Sequence, residues 1–359
     1  MLAVEGLQLD VVTEPTDALR HWVGSLVERV ETVRGHAPLS EHKRMVLARS
    51  EWGGVPGAAP AGDDPLDFGI TATGGGGAAP VGYAQASGDR STREYAVELV
   101  VDPEATRLDE VAAALTGAVV DQVSVLGGGT LRLWVPEASG GDDDLARRHG
   151  FSPERDLLQM RCPLPLSAPS SRDPSIGALP LRSFRPGSDE AAWLTTNNRA
   201  FATHPEQGHW DLDTLLERER EEWFDPAGFL VLEAEGRMAG SCWTKIHART
   251  TPPMGEIYVI GVDPDFHGRG WGRALTRAGL EWLADQGLSL GMLYVDADNR
   301  AAVRLYRSMG FTQDHADRSY IRSVDEAGPE AGREVSAGAD EVSDAVGHRR
   351  GDAGDEQLS

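Results

Sequence analysis

The stretch VDPDFHGRGWGRAL (residues 262–275) places three alternating glycines between a strand-like segment and a helix. A matching VDP occurs at 101–103, where the chain continues as EATRLDEVAAAL without the glycines. Glycine lets the backbone come close to a ligand and adopt left-handed conformations. Backbone N–H groups at the start of a helix are suited to binding a pyrophosphate. The glycine-containing stretch therefore predicts an anion site, and the stretch at 101–103 predicts a copy without one.

Other kinds of glycine loop fit this stretch less well. A Walker loop is excluded because no GK[ST] follows. A dinucleotide fingerprint is weak because DPDFH separates the strand from the first glycine, and the spacing is GxGxG rather than GxGxxG. An ordinary turn would explain one glycine but not three. Arg269 and Arg273 add positive charge at the same place, which favours a bound phosphate.

A second pair of matching segments follows each VDP. The first copy contains HGFSPERDLLQMRCPL (149–164), and the second contains MGFTQDHADRSYIRS (309–323). The separation between the VDP proline and the GF phenylalanine is 48 positions in the first copy and 47 in the second. Coincidence is the alternative, since both motifs are short. Landmarks that recur at nearly equal separation predict two copies of one fold.

Composition divides the chain around these copies. We expect a degenerate first copy over 1–165, a linker over 166–180, a second copy over 181–323 and a tail over 324–359. The linker is rich in Pro and Ser. The tail is acidic and has too few large apolar residues to form a core, so we expect it to be disordered.

The sequence of the second copy predicts the order β-β-β-α-β-α, with a strand after each helix. Segment 229–246 predicts two strands joined at Glu235-Gly236, and 255–262 predicts a third. The first helix presents Leu275, Ala278, Trp282 and Leu283 at the spacing of one helix face. After a strand at 291–295, Asp298 or Asn299 can cap the second helix and Gly310 can end it. The fold class predicted is α/β with a mixed sheet.

Bulk composition favours a small-molecule substrate. The 57 acidic and 34 basic side chains give a net charge of −23, which should repel nucleic acid and anionic lipid. No window is apolar over the length of a membrane span, and the first residues do not resemble a signal peptide, so we expect a cytoplasmic protein. Cys162 and Cys242 show no metal or disulfide spacing. We interpret Cys242 as a buried strand residue rather than a nucleophile.

The run GVDPDFHGRGWGRAL, followed by a helix, a strand and NRAAVRLYRSMGF, resembles the GCN5-related N-acetyltransferases. The resemblance implies two acyl-coenzyme A N-acyltransferase domains in tandem, acetyl-coenzyme A as co-substrate and no metal. Where this chain has His267, the family usually has Gln or Arg. The residues implied to contact coenzyme A are Leu99, Val100, Val101, Ile260, Gly261, Val262, His267, Gly268, Arg269, Gly270, Trp271, Gly272, Arg273, Asn299, Arg300, Ala301, Ala302, Val303 and Arg304.

The two-copy layout, with HPEQGHW (204–210), EEWFDPAG (221–228) and WTKIHA (243–248), is similar to one branch of this family. Members of that branch acetylate the cysteinyl amine of cysteinyl-glucosaminyl-inositol. The resemblance covers most of 180–322 and, more weakly, 1–165. It implies this small molecule as the acceptor, and we expect a monomer. The residues expected to contact the acceptor are Glu41, Glu206, Lys245, Glu256 and Tyr294.

The reaction itself requires proton transfers. An attacking amine must be neutral, and α-amino groups have a pKa of about 8, so a nearby base assists. Glu256 opens the strand that leads to the glycine loop, and we predict it as the general base; a solvated strand-edge carboxylate is the alternative. Tyr306 matches the position of the family's general acid; its alternative is a core aromatic residue. Backbone N–H groups of 260–262 would hold the oxyanion.

Aligning Pro103 with Pro264 puts Arg107, Asp109 and Val111 where Gly268, Gly270 and Gly272 stand. Their side chains would obstruct a backbone phosphate cradle, so we expect the first copy to serve as a scaffold beside the acceptor cleft. Two other functions stay open. The chain could be an N-acetyltransferase for another small amine or a peptide, or a noncatalytic sensor of acyl-coenzyme A.

Overall fold

The computed structural model describes residues 6–34, 38–48, 52, 65–74, 80–89, 91–166, 179–202, 208 and 210–327. Most of the linker predicted at 166–180 and of the tail predicted at 324–359 lies outside these residues, and so does Glu206.

The described residues contain two copies of one order of elements. The strands of the first copy are β1 (Leu7–Val12), β2 (Pro65–Gly74), β3 (Pro80–Asp89), β4 (Glu94–Val101), β5 (Gly129–Val135) and β6 (Ser152–Pro163). Those of the second are β7 (Leu181–Ser183), β8 (Phe229–Ala234), β9 (Arg237–His247), β10 (Met254–Val262), β11 (Leu290–Asp296) and β12 (Thr312–Val324). The helices are α1 (Asp17–Arg34), α2 (Glu41–Ala48), α3 (Leu108–Val125), α4 (Gly140–Arg148), α5 (Glu190–Ala200), α6 (Leu212–Glu219), α7 (Trp271–Asp285) and α8 (Arg300–Ser308).

The elements predicted for the second copy are confirmed. Glu235 and Gly236 both have positive φ in the turn between β8 and β9, the conformation that a two-residue hairpin turn requires. Asn299 caps α8 by accepting from the backbone N–H of Ala302 at 3.1 Å. Gly310, just after the helix, has φ 97°, the left-handed conformation that ends many helices.

All twelve strands form one mixed sheet in which the copies exchange their last strands. The order is β1-β2-β3-β4-β5-β12-β6-β11-β10-β9-β8-β7. Strand β12 of the second copy pairs with β5 of the first, and β6 of the first pairs with β11 of the second. The two exchanged strands also pair with each other. The first copy is therefore built into the sheet of the second.

Helices cover both faces of this sheet. Adjacent residues of β9 alternate between faces: Cys242 packs in the core beneath α7 and α8, whereas Trp243 packs with α5 and α6. In the first copy, Ala84 belongs to the core beneath α3, and Tyr83 to the core beneath α1 and α2. The same layering in both halves positions α2 and α6 on one side of the sheet and the glycine-loop helix on the other.

The alignment of the copies at the glycine loop needs a correction. Arg107 precedes α3 with φ 99°, just as Gly270 precedes α7 with φ 76°. Arg107 therefore occupies the place of Gly270, and matching it to Gly268 was wrong. The first copy has four positions from the VDP proline to this residue where the second has six, so its loop is two residues shorter.

Candidate active site

The sheet opens beside β10, and this opening defines the site. Strands β10 and β11 pair only through Gly255, Glu256 and Ile257. A bulge then displaces Tyr258 from the register with β9. Beyond it, the edge of β10 that faces β11 has no strand partner among the described residues up to Val262. Such an edge presents backbone N–H and C=O groups to a bound molecule. This edge includes three residues that we predicted to contact coenzyme A: Ile260, Gly261 and Val262.

The glycine loop lies at the end of the same edge. Gly268 and Gly270 have φ 77° and 76°, and apart from each glycine and its two chain neighbours, no described residue has an atom within 4 Å of where their Cβ atoms would be. Gly272 is different, because it lies within the first turn of α7 with Leu305 4.0 Å from its Cβ position. The two left-handed glycines leave open space above the helix N-terminus, as a phosphate cradle requires.

Side chains of the loop are held by local contacts. Arg269 stacks on Phe266 and Trp271 and contacts Glu235 at 3.2 Å. The Nε2 atom of His267 lies 2.9 Å from the carbonyl oxygen of Val262. Arg273 donates to Ser308 at 2.6 Å.

Segment 299–304 begins beside the opening. Asn299 and the first turn of α8 follow β11 directly, and Val303 is buried against the sheet. Arg300 and Arg304, with Arg307, line a groove over β6 and β12. Leu305 and Ser308 lie on the side of α8 that meets α7. The arginine side chains of this segment thus point away from the glycine loop.

Glu256 is buried at the second of the three positions where β10 pairs with β11, opposite Lys245 on β9. Its Oε2 atom lies 2.7 Å from Nε2 of His247. Its Oε1 atom has no hydrogen-bond partner among the residues that the structure describes. His247 was not predicted from the sequence, although its spacing of two from Lys245 on a strand places both on one face.

Glu41 reaches this face from the first copy. Its Oε1 atom accepts from Nζ of Lys245 at 3.0 Å and from Nε1 of Trp223 at 2.8 Å, and its Oε2 atom accepts from the Tyr258 hydroxyl at 3.0 Å. Burial pushes the pKa of Glu41 up, but Lys245 and Arg218 together with the indole N–H hold it below its usual value. The carboxylate is therefore charged near neutral pH. Sequence patterns gave no indication of Trp223, Tyr258 or Arg218 as its partners.

Tyr294 lies on β11 two residues beyond Met292, the partner of Glu256, and is partly exposed on the same face as Glu256. Its hydroxyl accepts from the side-chain amide of Gln159 on the exchanged strand β6, at 2.8 Å. Burial, with the charges of Asp317 and Glu256, raises the pKa of Tyr294. Its phenol is therefore protonated near neutral pH and can donate or accept a hydrogen bond.

Tyr306 is buried on α8, on the opposite face, and its ring packs near Phe311. Burial raises its pKa, and the neighbouring Cys242 adds to the effect. Within the described part of the chain its hydroxyl has no hydrogen-bond partner. Burial raises the pKa of the Cys242 thiol to about 12, and the side chain is fully enclosed. Cys242 is thus a buried strand residue, as predicted.

The matching positions of the first copy lack these groups. Strand register puts Ser87 at the place of Lys245, Ala96 at that of Glu256 and Trp134 at that of Tyr294. Counting along α4 and α8 from their matched phenylalanines puts Ala146 at the place of Tyr306. Strand β4 also has no bulge. The end of β4, residues 99–101 (Leu99, Val100 and Val101), does continue past its last pair with β5. The end of β10, residues 260–262, continues past its last pair with β11 in the same way.

Two further observations concern the described residues only. They contain no group of three or more His, Cys, Asp or Glu side chains arranged to hold a metal ion. None of their helices combines the length and apolar character required to cross a membrane.

Comparisons with known proteins agree on one family. The model of the Acetyltransferase (GNAT) family matches residues 193–311. Mycothiol acetyltransferase from Acidimicrobium ferrooxidans is 41% identical over 86% of this chain and 96% of its own. The enzyme of the same name from Geodermatophilus obscurus is 42% identical over 83% and 92%. That from Streptomyces coelicolor is 39% identical over 87% and 93%.

Solved structures show the same tandem fold. A GCN5-related N-acetyltransferase from Sphaerobacter thermophilus matches with a TM-score of 0.61 at 21% identity, over 89% of this chain and 96% of that one. A tandem GNAT protein from the clavulanic acid biosynthesis pathway matches with a TM-score of 0.59 at 16% identity, over 90% and 100%. The predicted fold, two N-acetyltransferase domains in tandem on a mixed sheet, is confirmed.

Proposed function

Since the chain belongs to the mycothiol acetyltransferase family, we propose that its second copy, residues 181–323, acetylates the cysteinyl amine of cysteinyl-glucosaminyl-inositol. The acetyl donor is acetyl-coenzyme A, and the products are mycothiol and coenzyme A. Family membership makes the chain an N-acetyltransferase with a small-molecule substrate. The acceptor and the residue roles below are the parts that we propose.

One observation carries the assignment of the acceptor. Four of the five side chains expected to contact it lie on one face beside the opening of the sheet: Glu41, Lys245, Glu256 and Tyr294. They come from both copies. Two carboxylates, an ammonium group and a phenol suit an acceptor that carries an amine and many hydroxyl groups. Glu206 lies outside the described residues, so its role remains a prediction.

Residues of the second copy fit acetyl-coenzyme A. The edge of β10 from Tyr258 to Val262, which faces no strand among the described residues, would hold the pantetheine arm through backbone hydrogen bonds. The open space at Gly268 and Gly270 would admit the pyrophosphate at the N-terminus of α7. When bound, acetyl-coenzyme A supplies the thioester that the amine attacks.

Glu256 and Tyr306 would move the protons. His247 donates to Oε2 of Glu256, which leaves Oε1 to accept the proton of the acceptor's ammonium group. Tyr306 is protonated near neutral pH, and its phenol would donate to the departing thiolate. Backbone N–H groups of 260–262 would stabilise negative charge on the carbonyl oxygen. We assign no metal to the reaction.

The first copy would serve as a scaffold rather than as a second catalyst. It has Ala96 and Ala146 where the second copy has Glu256 and Tyr306, so it offers neither a base nor an acid. Arg107 also places a side chain at the position of Gly270. Its contribution is Glu41 and the exchanged strand β6.

A thiol-release assay tests the proposal. The purified chain is supplied with acetyl-coenzyme A and a panel of amines: cysteinyl-glucosaminyl-inositol, glucosaminyl-inositol, free cysteine and a short peptide. We expect the highest kcat/KM for cysteinyl-glucosaminyl-inositol. A higher kcat/KM for another amine would identify a different acceptor, and release with none of them would contradict the proposed reaction.

A further inference from the structure

The exchanged strand β6 places two polar side chains beside the proposed acceptor site. Gln159 pairs directly with Tyr294 in the register between β6 and β11. Arg161 lies two residues further along β6, on the same face, and pairs with Asp314 of β12 at 3.0 Å. Gln159 is almost completely buried, at 2% exposure, whereas Tyr294 is partly exposed.

Hydrogen-bond chemistry fixes the direction of the contacts among these residues. The Nε atom of Arg161 lies 2.6 Å from Oε1 of Gln159, and a guanidinium group can only donate. The amide oxygen of Gln159 is therefore the acceptor, and its Nε2 group must point to Tyr294. At 2.8 Å, this N–H group donates to the Tyr294 hydroxyl oxygen. A phenol has one proton, so that proton remains for another acceptor.

The surroundings of Tyr294 show where this proton can go. Glu256 is near enough for its charge to raise the pKa of Tyr294, and so is Asp317 of β12. Because the pKa is raised, the hydroxyl keeps its proton at neutral pH. Asp317 already accepts from the backbone N–H of Glu137 at 3.0 Å. The exposed side of Tyr294 therefore presents a donor on the face that holds Glu256 and Lys245.

We propose that Gln159, held by Arg161, is a positioning residue that makes Tyr294 a hydrogen-bond donor to an oxygen of the acceptor. The proposal rests on the function proposed above and gives the first copy a second role in acceptor recognition, separate from that of Glu41. Gln159 itself does not touch the acceptor. It acts through Tyr294, so its removal should affect acceptor binding and leave acetyl-coenzyme A binding unchanged.

Gln159→Glu tests this directly. A carboxylate beside Arg161 has no N–H group, so the Tyr294 hydroxyl must donate to it and is lost as a donor to the acceptor. We expect the KM for cysteinyl-glucosaminyl-inositol to rise about tenfold, with kcat and the KM for acetyl-coenzyme A within twofold of the wild type. Gln286→Glu, the same change at an exposed position after α7, should alter neither KM.

A double-mutant cycle separates positioning from a purely structural effect. In a Tyr294→Phe background there is no hydroxyl to orient, so Gln159→Glu should raise the acceptor KM no further. An unchanged KM in Gln159→Glu, or a further tenfold rise in the Tyr294→Phe background, would overturn the proposal. If Gln159→Glu does not fold, Arg161→Met takes its place. It frees the amide to rotate and should also raise only the acceptor KM, and an unchanged value would likewise overturn the proposal.

The wild-type assay distinguishes failure of this proposal from failure of the proposed function. If the wild type does not acetylate cysteinyl-glucosaminyl-inositol, the function is wrong. If the wild type acetylates it and Gln159→Glu has the wild-type KM, only the role of Gln159 is wrong.

Discussion

The Nε2 atom of His247 lies 2.7 Å from the Oε2 atom of Glu256, across the pair formed by β9 and β10. Both side chains are on the face where Glu41 meets Lys245, and Glu256 is one of the three residues through which β10 pairs with β11. A donor on one carboxylate oxygen fixes the orientation of the other. We therefore expect the activity of Glu256 to depend on His247.

Glu256→Gln removes the proposed base. We expect kcat at pH 7 to fall by about 10²–10³-fold. It should recover in part as the pH rises through about 8, where the acceptor's α-amino group loses its proton unaided. The measurement is a pH–rate profile, with Glu281→Gln on the exposed side of α7 as the matched control. A profile parallel to that of the wild type would remove Glu256 from the mechanism.

His247→Leu removes the donor to Glu256, whereas His247→Gln keeps a donor. We expect kcat/KM for the acceptor to fall about tenfold in the leucine variant and to stay near the wild-type value in the glutamine variant. Steady-state kinetics at neutral pH measure the difference. Equal losses in both variants would mean that the hydrogen bond is not what His247 contributes.

Tyr306→Phe deletes a buried hydroxyl that has no partner among the described residues. The free energy of unfolding should change by less than about 0.5 kcal/mol, since no hydrogen bond is lost. Turnover should fall by about 10²-fold. Tyr320→Phe is the matched control, because it removes a 2.8 Å hydrogen bond to Asp143 far from the site. It should reduce stability and spare kcat; wild-type kcat in Tyr306→Phe would favour the core-packing interpretation.

Glu41→Gln tests the contact between the copies. The folded-state pKa of Glu41 lies below its ordinary value of 4.5, so its charge contributes stability above that pH, and the contribution is lost as the pH falls through the folded-state pKa. We expect the variant to be less stable by about 2 kcal/mol at pH 7, because Lys245 loses a buried partner. Denaturant unfolding should show the difference shrinking as the pH falls below 4.5 and through the lowered folded-state pKa. A difference independent of pH would contradict the charge pairing.

Gly270→Asp tests the phosphate cradle. Asp tolerates a left-handed conformation better than most residues, so the chain should still fold. A carboxylate at the helix N-terminus should weaken coenzyme A binding by about 10–100-fold, measured by calorimetry. Asp109→Ala in the first copy should leave binding and turnover intact. Two equally tight sites, or a tight site that survives Gly270→Asp, would show that the lost glycines do not explain the difference between the copies.

Local patterns of the sequence determined much of the second copy. Features that depend on interactions within a few residues could be predicted without knowing what packs around them. These are the side-chain periodicity, the Asn299 cap and the glycines at 236, 268, 270 and 310. The VDP and GF motifs are also short, and they predicted the two copies because they recur at nearly equal separation. Counting from the proline of the VDP motif gave the wrong match for Arg107, because the first copy's loop is two residues shorter. The short motif itself does not reveal this difference in loop length.

Only the tertiary structure decided how the copies combine. Lys245 and Glu41 are 204 residues apart, and Gln159 and Tyr294 are 135 apart. Their contacts depend on the exchange of β6 and β12. Either strand could pair with its own copy by the same backbone hydrogen bonds and the same alternation of side chains. Which strands β6 and β12 pair with depends on how the helices on both faces of the sheet pack against it. This packing cannot be predicted from a local sequence pattern.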